Sequence, residues 1–462
     1  MTKLPDYKRL DAVTARDIVL DLEVVTPLYG GGARARMVDR DLPVRASGIR
    51  GQLRFWWRCL YGPRYASAAA MYEAERALWG GLAKEHRDLR ASSVVLYVRK
   101  CASERSAIDH STREPGDPDG YALWTVKGGA GVAPAERWMQ GRRFMLVVRP
   151  PAPTPNDRHP EEVRNTLRAW ILFGGVGGRV RRGLGALALT KASQRADWLP
   201  PQMDAASLRD WLSPLKDHPT RAHARLADAM IAWGGIEQKA VDAWHVALGW
   251  LRDFRQKHGA PVDVAPVGAT ARQRPDATNR AGRSRWPEAD KLRIHKNQRD
   301  HTVFTEHANR AMHWPRAEFG LPLQFRFQTL DRKRYPYATL PPGSYVDHDG
   351  RVKVGTFKLG WSLTTGGQPL TRLASPLIVK PVQLPDGTFA PLALWLAREL
   401  PKAAQVGVDE RGALVATAPF GLTPPHPDKH LFTALSNKGS LRAAFMDWLR
   451  NPDNTSPARG TL

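Results

Sequence analysis

Residues 47–58 constrain the fold more than any other segment, because as a helix they present two chemically different faces side by side. At about 100° per residue, an apolar stripe and a basic stripe run along the same helix. The apolar stripe consists of Ile49, Leu53, Trp56 and Leu60, and the second stripe of Arg50, Arg54, Arg58 and Tyr61. We predict that the apolar stripe packs in a core, with Trp57 at its border, while the arginines contact an anion. Ser47 is the predicted N-cap.

The positive charge of this helix is not balanced by nearby acids in the sequence. Five arginines lie from Arg45 to Arg64, and no Asp or Glu occurs between Asp41 and Glu73. Surface helices usually mix charge signs, because neighbouring opposite charges stabilise them. The whole chain has a formal net charge of +24, which indicates nucleic acid as the first candidate partner. The alternative is a solvated arginine face over a tryptophan-rich core.

Composition excludes several classes of protein. A chain of 462 residues, 42% of them hydrophobic, is long enough for two or three domains with real cores. Its two cysteines, Cys59 and Cys101, cannot build a disulfide framework or a cysteine-rich zinc site. No apolar run is long enough to span a bilayer, and the first residues lack the apolar core of a secretion signal. We therefore expect a protein of the reducing cytoplasm that contacts no membrane.

The usual sequence patterns of catalysis and cofactor binding are also missing. The fourteen histidines show neither His-Glu-x-x-His nor paired-cysteine spacing. No Gly-x-Ser-x-Gly elbow occurs, so acyl-transfer chemistry has no support. We expect no bound metal and no cofactor.

The order of elements in the first 195 residues predicts an α+β domain. Alternation and flanking turns indicate strands, and apolar spacing of 3 to 4 residues indicates helices. In chain order, these are a strand over 18–25, the arginine helix, strands over 92–98 and 144–148, a helix over 161–173 and a strand over 184–189. The resulting βαββαβ order is that of ferredoxin-like domains, which include many RNA-binding domains.

Residues 196–462 are predicted to form a second α+β domain. Its expected elements are a helical insertion over about 228–258, strands over 321–330, 376–384 and 389–396, and a helix near 440–449. Between them, residues 270–300 carry nine Lys or Arg against four acids, with scattered Gly, Pro and Asn. We predict a mobile basic loop that contacts RNA through Arg283, Arg285 and Arg293. The alternative is a disordered, solvated insertion without specific contacts.

A glycine-rich segment, 174–185, joins the second helix to the fourth strand. Dinucleotide and P-loop motifs run from strand to glycines to helix, whereas here a helix comes first and a strand follows. Glycines let a phosphate approach the backbone N–H groups, and the arginines supply charge. The predicted phosphate contacts are Gly174, Gly175, Gly177, Gly178, Arg179, Arg181 and Arg182. A purely structural tight turn is the alternative.

Together, these motifs resemble the RAMP superfamily of CRISPR proteins. The resemblance rests on Thr26-Pro27 followed by three glycines at 30–32, on the run Gly48-Ile49-Arg50-Gly51-Gln52-Leu53-Arg54-Phe55-Trp56-Trp57-Arg58, and on the glycine-arginine segment. Within the superfamily, the arginine-tryptophan run resembles the first Cmr subunit of type III-B effector complexes. The motifs cover residues 18–190, and the second half of the chain is similar more loosely.

The resemblance implies a fold, a set of partners and a role. It implies two ferredoxin-like, RRM-like RAMP domains, with the helical and basic-loop insertions placed between their elements. It also implies a subunit that caps the backbone filament of the ribonucleoprotein near the 3′ side of the guide RNA and helps to capture target RNA. Guide (CRISPR) RNA, target RNA and other RAMP subunits would be its partners. Arg45, Arg50, Arg54 and Arg58 complete the predicted RNA contacts.

The resemblance implies no catalytic role, since cleavage in such complexes is assigned to a loop aspartate of the repeated backbone subunit. Asp39 lies in the loop after the first strand, a comparable place, and is the one candidate for a metal-dependent endoribonuclease. No convergent general base accompanies Asp39, and arginines flank it. A RAMP-type endoribonuclease and a stand-alone binder of single-stranded RNA therefore remain the alternative functions.

Overall fold

The computed structural model describes most of the chain, with gaps between the described segments. The described residues are 13–32, 34–81, 89–100, 107–113, 117–128, 131–153, 158–212, 223–259, 270–275, 282–295, 312–325, 345–346, 352–353, 356–370, 372–422, 432–449 and 458–461. They divide into two compact units. The first unit comprises 1–248, 378–398 and 458–462, and the second comprises 249–377 and 399–457.

The strands of the first unit are β1 (Ile18–Val24), β2 (Leu28–Tyr29), β3 (Val95–Lys100), β4 (Ile108–Asp109), β5 (Arg137–Trp138), β6 (Arg142–Arg149), β7 (Leu187–Leu189), β8 (Arg225–Trp233), β13 (Leu377–Gln383), β14 (Phe389–Ala397) and β17 (Ala458–Thr461). Those of the second unit are β9 (Leu323–Phe325), β10 (Tyr345–Val346), β11 (Val352–Lys353), β12 (Phe357–Ser362), β15 (Gln405–Glu410) and β16 (Ala413–Pro419). The helices are α1 (Ala46–Tyr61), α2 (Ala68–Trp79), α3 (Gly120–Leu123), α4 (His159–Phe173), α5 (Ala192–Trp198), α6 (Ala205–Leu212), α7 (Ala240–Gln256), α8 (Pro287–His295) and α9 (Leu441–Trp448).

The first sheet of the first unit has the strand order β3-β6-β1-β7. Its registered pairs are antiparallel, with Leu20 opposite Leu146 and Leu22 opposite Phe144. These four side chains are buried, because alternate residues of each strand point to the face that the helices cover. From one edge of the sheet to the other, these are the second, third, first and fourth of its strands in chain order, as the βαββαβ pattern requires.

Helix α1 packs as its apolar stripe predicts, against α4. All four stripe residues are at most 1% exposed. Two details differ from the prediction. The N-cap is Arg45, which makes no capping hydrogen bond, so Ser47 lies inside the helix. Trp57 is buried rather than at the border, and its Nε1 donates to Glu162 Oε2 of α4 at 2.9 Å, which satisfies the indole N–H.

A second four-stranded sheet, β13-β14-β8-β17, also belongs to the first unit. The amide of Gln383 in β13 connects it to the first sheet, since Oε1 accepts the Leu189 N–H at 2.8 Å and Nε2 donates to the Leu189 carbonyl at 3.2 Å. The unit therefore continues well past the boundary that the sequence predicted at residue 195.

The helical insertion predicted over 228–258 is wrong in its first part. Residues 225–233 form strand β8, and the helix, α7, begins only at Ala240. The segment is rich in alanine and therefore resembles a helix in local propensity. Pairing of β8 with β14 and β17, which are distant in sequence, overrides that propensity.

The second unit combines a sheet, β16-β15-β12-β9, with a cluster of aromatic side chains. Phe254 is at the centre of the cluster, with ring centroids at 5.1–6.1 Å from its own. Its neighbours are Trp286, Phe319, Phe432, Phe445 and Trp448. The predicted C-terminal helix is α9, and Ser440 caps it by accepting the Ala443 N–H at 3.2 Å. Among the described residues, no helix is long and apolar enough to cross a membrane.

Candidate nucleic-acid interface

The three arginines of the basic stripe of α1 are half-buried and contact other parts of the first unit. Arg50 Nη1 donates to Ser92 Oγ at 2.5 Å and to the Val94 carbonyl at 3.1 Å. Burial lowers the pKa of Arg50 below its ordinary value, and the positive charge of Arg54 adds to this effect. Arg50 therefore connects α1 to the segment that leads into β3.

Arg54 and Arg58 share one buried acid. Glu75 of α2 is 2% exposed and accepts from Arg54 Nε through Oε1, while its Oε2 lies 3.2 Å from Arg58 Nε. The side chains of Arg54 and Arg58 remain 26% and 43% exposed. Glu75 therefore neutralises part of the positive charge of the basic stripe. No acid lies near these arginines in the sequence, but the fold brings one next to them.

We expect Glu75→Gln to lower the free energy of unfolding by about 2 kcal/mol, measured by urea denaturation. The substitution keeps the shape of the side chain but leaves two arginines without their shared counter-charge, and breaking a buried pair costs about 3–5 kcal/mol. The expected loss falls below that range because both arginines are partly solvated. Glu73→Gln is the control on the same helix, since the Glu73 carboxylate is 60% exposed and solvent screens its ion pair with the buried Arg76. Equal stability of the two variants would contradict the assigned role of Glu75.

The arginines of the glycine-rich segment lie against aromatic rings and carbonyl groups. Arg179 Nη1 donates to the Ala122 carbonyl at 2.9 Å, and its guanidinium lies 5.8 Å from the centre of the Tyr29 ring. Arg181 lies over the Phe55 ring of α1 at 5.2 Å. Burial lowers the pKa of both arginines. The contact between Arg181 and Phe55 brings the two predicted motifs, α1 and the glycine-rich segment, to one place.

The glycines of this segment have close protein neighbours. A Cβ at Gly174 would lie 2.6 Å from Trp56 Nε1, and one at Gly175 would lie 2.5 Å from the Gly185 carbonyl oxygen. A Cβ at Gly177 would lie 2.5 Å from Leu28, and one at Gly178 would lie 3.0 Å from Tyr29. The absence of side chains therefore serves tight packing of the segment against β2 and α1. Their contact with phosphate stays a prediction.

A buried lysine lies beneath the start of this segment. Lys380 of β13 is 1% exposed, and its Nζ donates to the Leu172 carbonyl at 2.8 Å and the Gly174 carbonyl at 2.7 Å. These carbonyls belong to the last turn of α4 and the residue that follows it, where helices leave carbonyls without internal partners. Burial lowers the pKa of Lys380 to about 7.

The remaining predicted RNA contacts differ in exposure. Arg45 is exposed and donates to the Gly31 carbonyl. Arg283 is half-buried, 3.8 Å from Asp290, and Arg285 is 4% exposed near Thr270. Arg293 lies in α8, but its side chain is outside the described residues.

The predicted mobile loop over 270–300 is wrong where the structure describes it. Residues 287–295 form α8, and the buried carboxylate of Glu288 accepts the Arg316 N–H at 2.6 Å. Arg285 lies in the interior of the second unit, so it does not form an exposed contact face. Residues 276–281 and 296–300 are outside the described residues.

The candidate nuclease residue Asp39 has a structural contact of its own. Its Oδ1 accepts the N–H groups of Asp41 at 3.0 Å and Leu42 at 2.8 Å, which closes the loop as an Asx turn. Its carbonyl accepts Trp138 Nε1 at 3.1 Å. Within the described part of the chain, no group of three His, Cys, Asp or Glu side chains could hold a metal ion.

Comparison with known families matches residues 21–188 to the RAMP superfamily. Over this segment, the chain is similar to the RAMP superfamily. A curated relative, the CRISPR system Cmr subunit Cmr1-1 of Pyrococcus furiosus, is 27% identical over 161 residues. The similarity covers 34% of this chain and 44% of the relative, so the chain spans less than half of that relative's length. These matches confirm the resemblance predicted from the motifs.

Two solved structures are similar over most of their length at low identity. The apo crystal structure of Cmr1 from Pyrococcus furiosus is 15% identical, with a TM-score of 0.41, over 84% of this chain and 89% of its own. A chain in the cryo-EM structure of the type III-B Cmr-beta complex bound to cognate target RNA is 10% identical, with a TM-score of 0.37, over 82% and 94%.

Sequence reasoning missed the residues that hold the RAMP motifs in place. Glu75 could have been found, because it is four residues from both Met71 and Trp79 and so lies on the buried face of α2. Lys380 interrupts the apolar run of β13, which is itself a signal of a buried cation with a partner. The carbonyl groups that Lys380 contacts lie about 200 residues away in sequence and carry no such signal.

Proposed function

We propose that the chain is a non-catalytic, RNA-binding subunit of a type III-B CRISPR ribonucleoprotein. In this proposal it caps the backbone filament near the 3′ side of the guide RNA and helps to capture target RNA. The observation that carries the proposal is the similarity of its RAMP region to a Cmr subunit. A net charge of +24 supports a polyanionic partner, whose binding would weaken steeply with salt.

The proposed architecture is that of two ferredoxin-like domains. The support is that the two four-stranded sheets of the first unit share one strand order. The spatial order β13-β14-β8-β17 places the second, third, first and fourth strands in the chain side by side, as β3-β6-β1-β7 does in the first sheet. Helix α7 follows β8 as α1 follows β1. In this proposal, the second unit consists largely of insertions into the second βαββαβ repeat.

The partners can be tested by purifying the native assembly through a tag on this chain. We expect RNAs that share a constant flank and have variable interiors, together with other RAMP proteins identified by mass spectrometry. Guide RNA would then read sequence by base pairing while the protein contacts backbone and shape. Heterogeneous cellular RNA without partner proteins would contradict the proposal and favour a stand-alone binder.

A non-catalytic role also predicts the behaviour of Asp39→Ala. We expect the assembled complex to cleave a matching target RNA at the wild-type rate, because the Asp39 carboxylate is engaged by two backbone N–H groups of its own loop. The measurement is a single-turnover cleavage assay, with Asp41→Ala as the neighbouring control. Loss of cleavage only in Asp39→Ala would instead support the endoribonuclease.

A further inference from the structure

One pocket lies where α1 meets the glycine-rich segment, within the first unit. It has a volume of about 190 Å³, which is below the range of roughly 300–1,000 Å³ for drug-sized ligands. Gln52, Phe55 and Arg181 are half-buried and form its mouth, whereas Trp56, Phe173 and Ile378 are buried and line it more deeply. The size fits one planar ring system better than a whole nucleotide.

Two hydrogen-bond donors at this pocket have no partner among the described residues. Trp56 is 1% exposed, and its Nε1–H donates to no acceptor of the described residues. The Nε–H of Arg181 is also buried and likewise donates to none of them. Buried polar groups without partners are uncommon, and each calls for an explanation such as a bound ligand. Indole and guanidinium N–H groups can only donate, so the missing group must present acceptors.

The walls favour an uncharged aromatic ring over an isolated phosphate. Phe55 and Phe173 both contact Trp56, with ring centroids 5.2 and 5.8 Å from it, and Ile378 adds an aliphatic surface. A phosphate there would lose its hydration against apolar walls, which is costly for a charged group. Unpaired RNA bases, in contrast, stack on aromatic rings and arginine planes while their edges form hydrogen bonds.

We infer that this pocket binds one unpaired base of single-stranded RNA, with Trp56 Nε1 and Arg181 donating to acceptors on the base edge. The inference rests on the proposed RNA-binding function and adds a base-binding subsite to it. Because the two protein groups only donate, a base with a carbonyl oxygen, such as uracil, fits better than adenine, whose exocyclic group is a donor.

The test compares the intact chain with Trp56→Phe in binding to oligouridine and to an abasic ribose-phosphate oligomer of the same length. Trp56→Phe removes the indole N–H but keeps an aromatic ring. We expect it to weaken oligouridine binding about three- to tenfold, the effect of one lost hydrogen bond, and to leave abasic binding unchanged. Oligoadenylate should bind more weakly than oligouridine to the unsubstituted chain.

Trp79→Phe is the matched control. Trp79 is also 1% exposed with an indole nitrogen that lacks a partner in the described segments, but it does not line the pocket. The Trp79→Phe variant should bind both oligomers as the unsubstituted chain does. Arg181→Lys, which keeps the charge but loses the planar guanidinium, provides a second test at a half-buried position and should also weaken oligouridine selectively.

The outcomes separate the subsite from the proposed function. If the unsubstituted chain binds both oligomers and both pocket variants leave oligouridine binding unchanged, the subsite is overturned while RNA binding stands. Equal weakening of oligouridine and abasic binding would indicate a phosphate contact and also overturn the base pocket. If the unsubstituted chain binds neither oligomer, the RNA-binding function fails and the subsite fails with it.

Discussion

Gly185→Ala should lower the free energy of unfolding by about 3–5 kcal/mol. Gly185 has φ = +66°, a conformation that alanine adopts only at a cost, and an added Cβ would lie 1.9 Å from the Val176 carbonyl oxygen. The backbone cannot move away freely, because the Gly185 N–H donates to the Pro27 carbonyl at 3.0 Å and its carbonyl accepts the Val176 N–H at 2.9 Å. Urea denaturation measures the change.

Gly48→Ala is the control for this substitution. Gly48 is exposed in α1, and an added Cβ would meet nothing within 4 Å. Alanine is the better helix former, so we expect stability equal to the parent or higher by up to about 1 kcal/mol. Similar stability of the Gly185 and Gly48 variants would contradict the packing of the glycine-rich segment, and its glycines would then be retained for ligand contact alone.

The second large effect is a dependence of stability on pH through Lys380. Its folded pKa is about 7, against an ordinary value of 10.5. Between these values the unfolded chain binds the proton that the folded chain releases, so the contribution of Lys380 to stability rises with pH. Below pH 7 the lysine is charged in both states, and its contribution is constant. The slope in this window is up to about 1.4 kcal/mol per pH unit.

The measurement compares urea denaturation of the parent chain and Lys380→Met from pH 6 to pH 9.5. The difference in stability between the two should change little from pH 6 to 7 and then grow in favour of the parent as the pH rises. Lys402→Met, at an exposed position, should follow the parent curve. A constant difference between the parent chain and Lys380→Met across the whole range would contradict the lowered pKa of the buried lysine.

Much of the first sheet and its helices follows from local patterns. The spacing of Ile49, Leu53, Trp56 and Leu60 predicted the buried face of α1, and alternation predicted β1 to within one residue. These patterns are readable because a helix or strand with one buried face repeats its apolar residues at its own period. The strand over 225–233 was not readable, because its partners come from more than 150 residues further along the chain.

The two motifs of the candidate site were readable from the sequence, but their contacts were not. The sequence alone determined that α1 carries arginines beside an apolar stripe, that a glycine-arginine segment follows α4, and that both resemble RAMP motifs, because these are properties of neighbouring residues. Only the tertiary structure decided that Glu75 neutralises part of the arginine face, and that Lys380 supports the glycine-rich segment. It also decided that Arg181 lies over Phe55 at a pocket. Such contacts depend on distance in space between residues far apart in the chain, which no local pattern encodes.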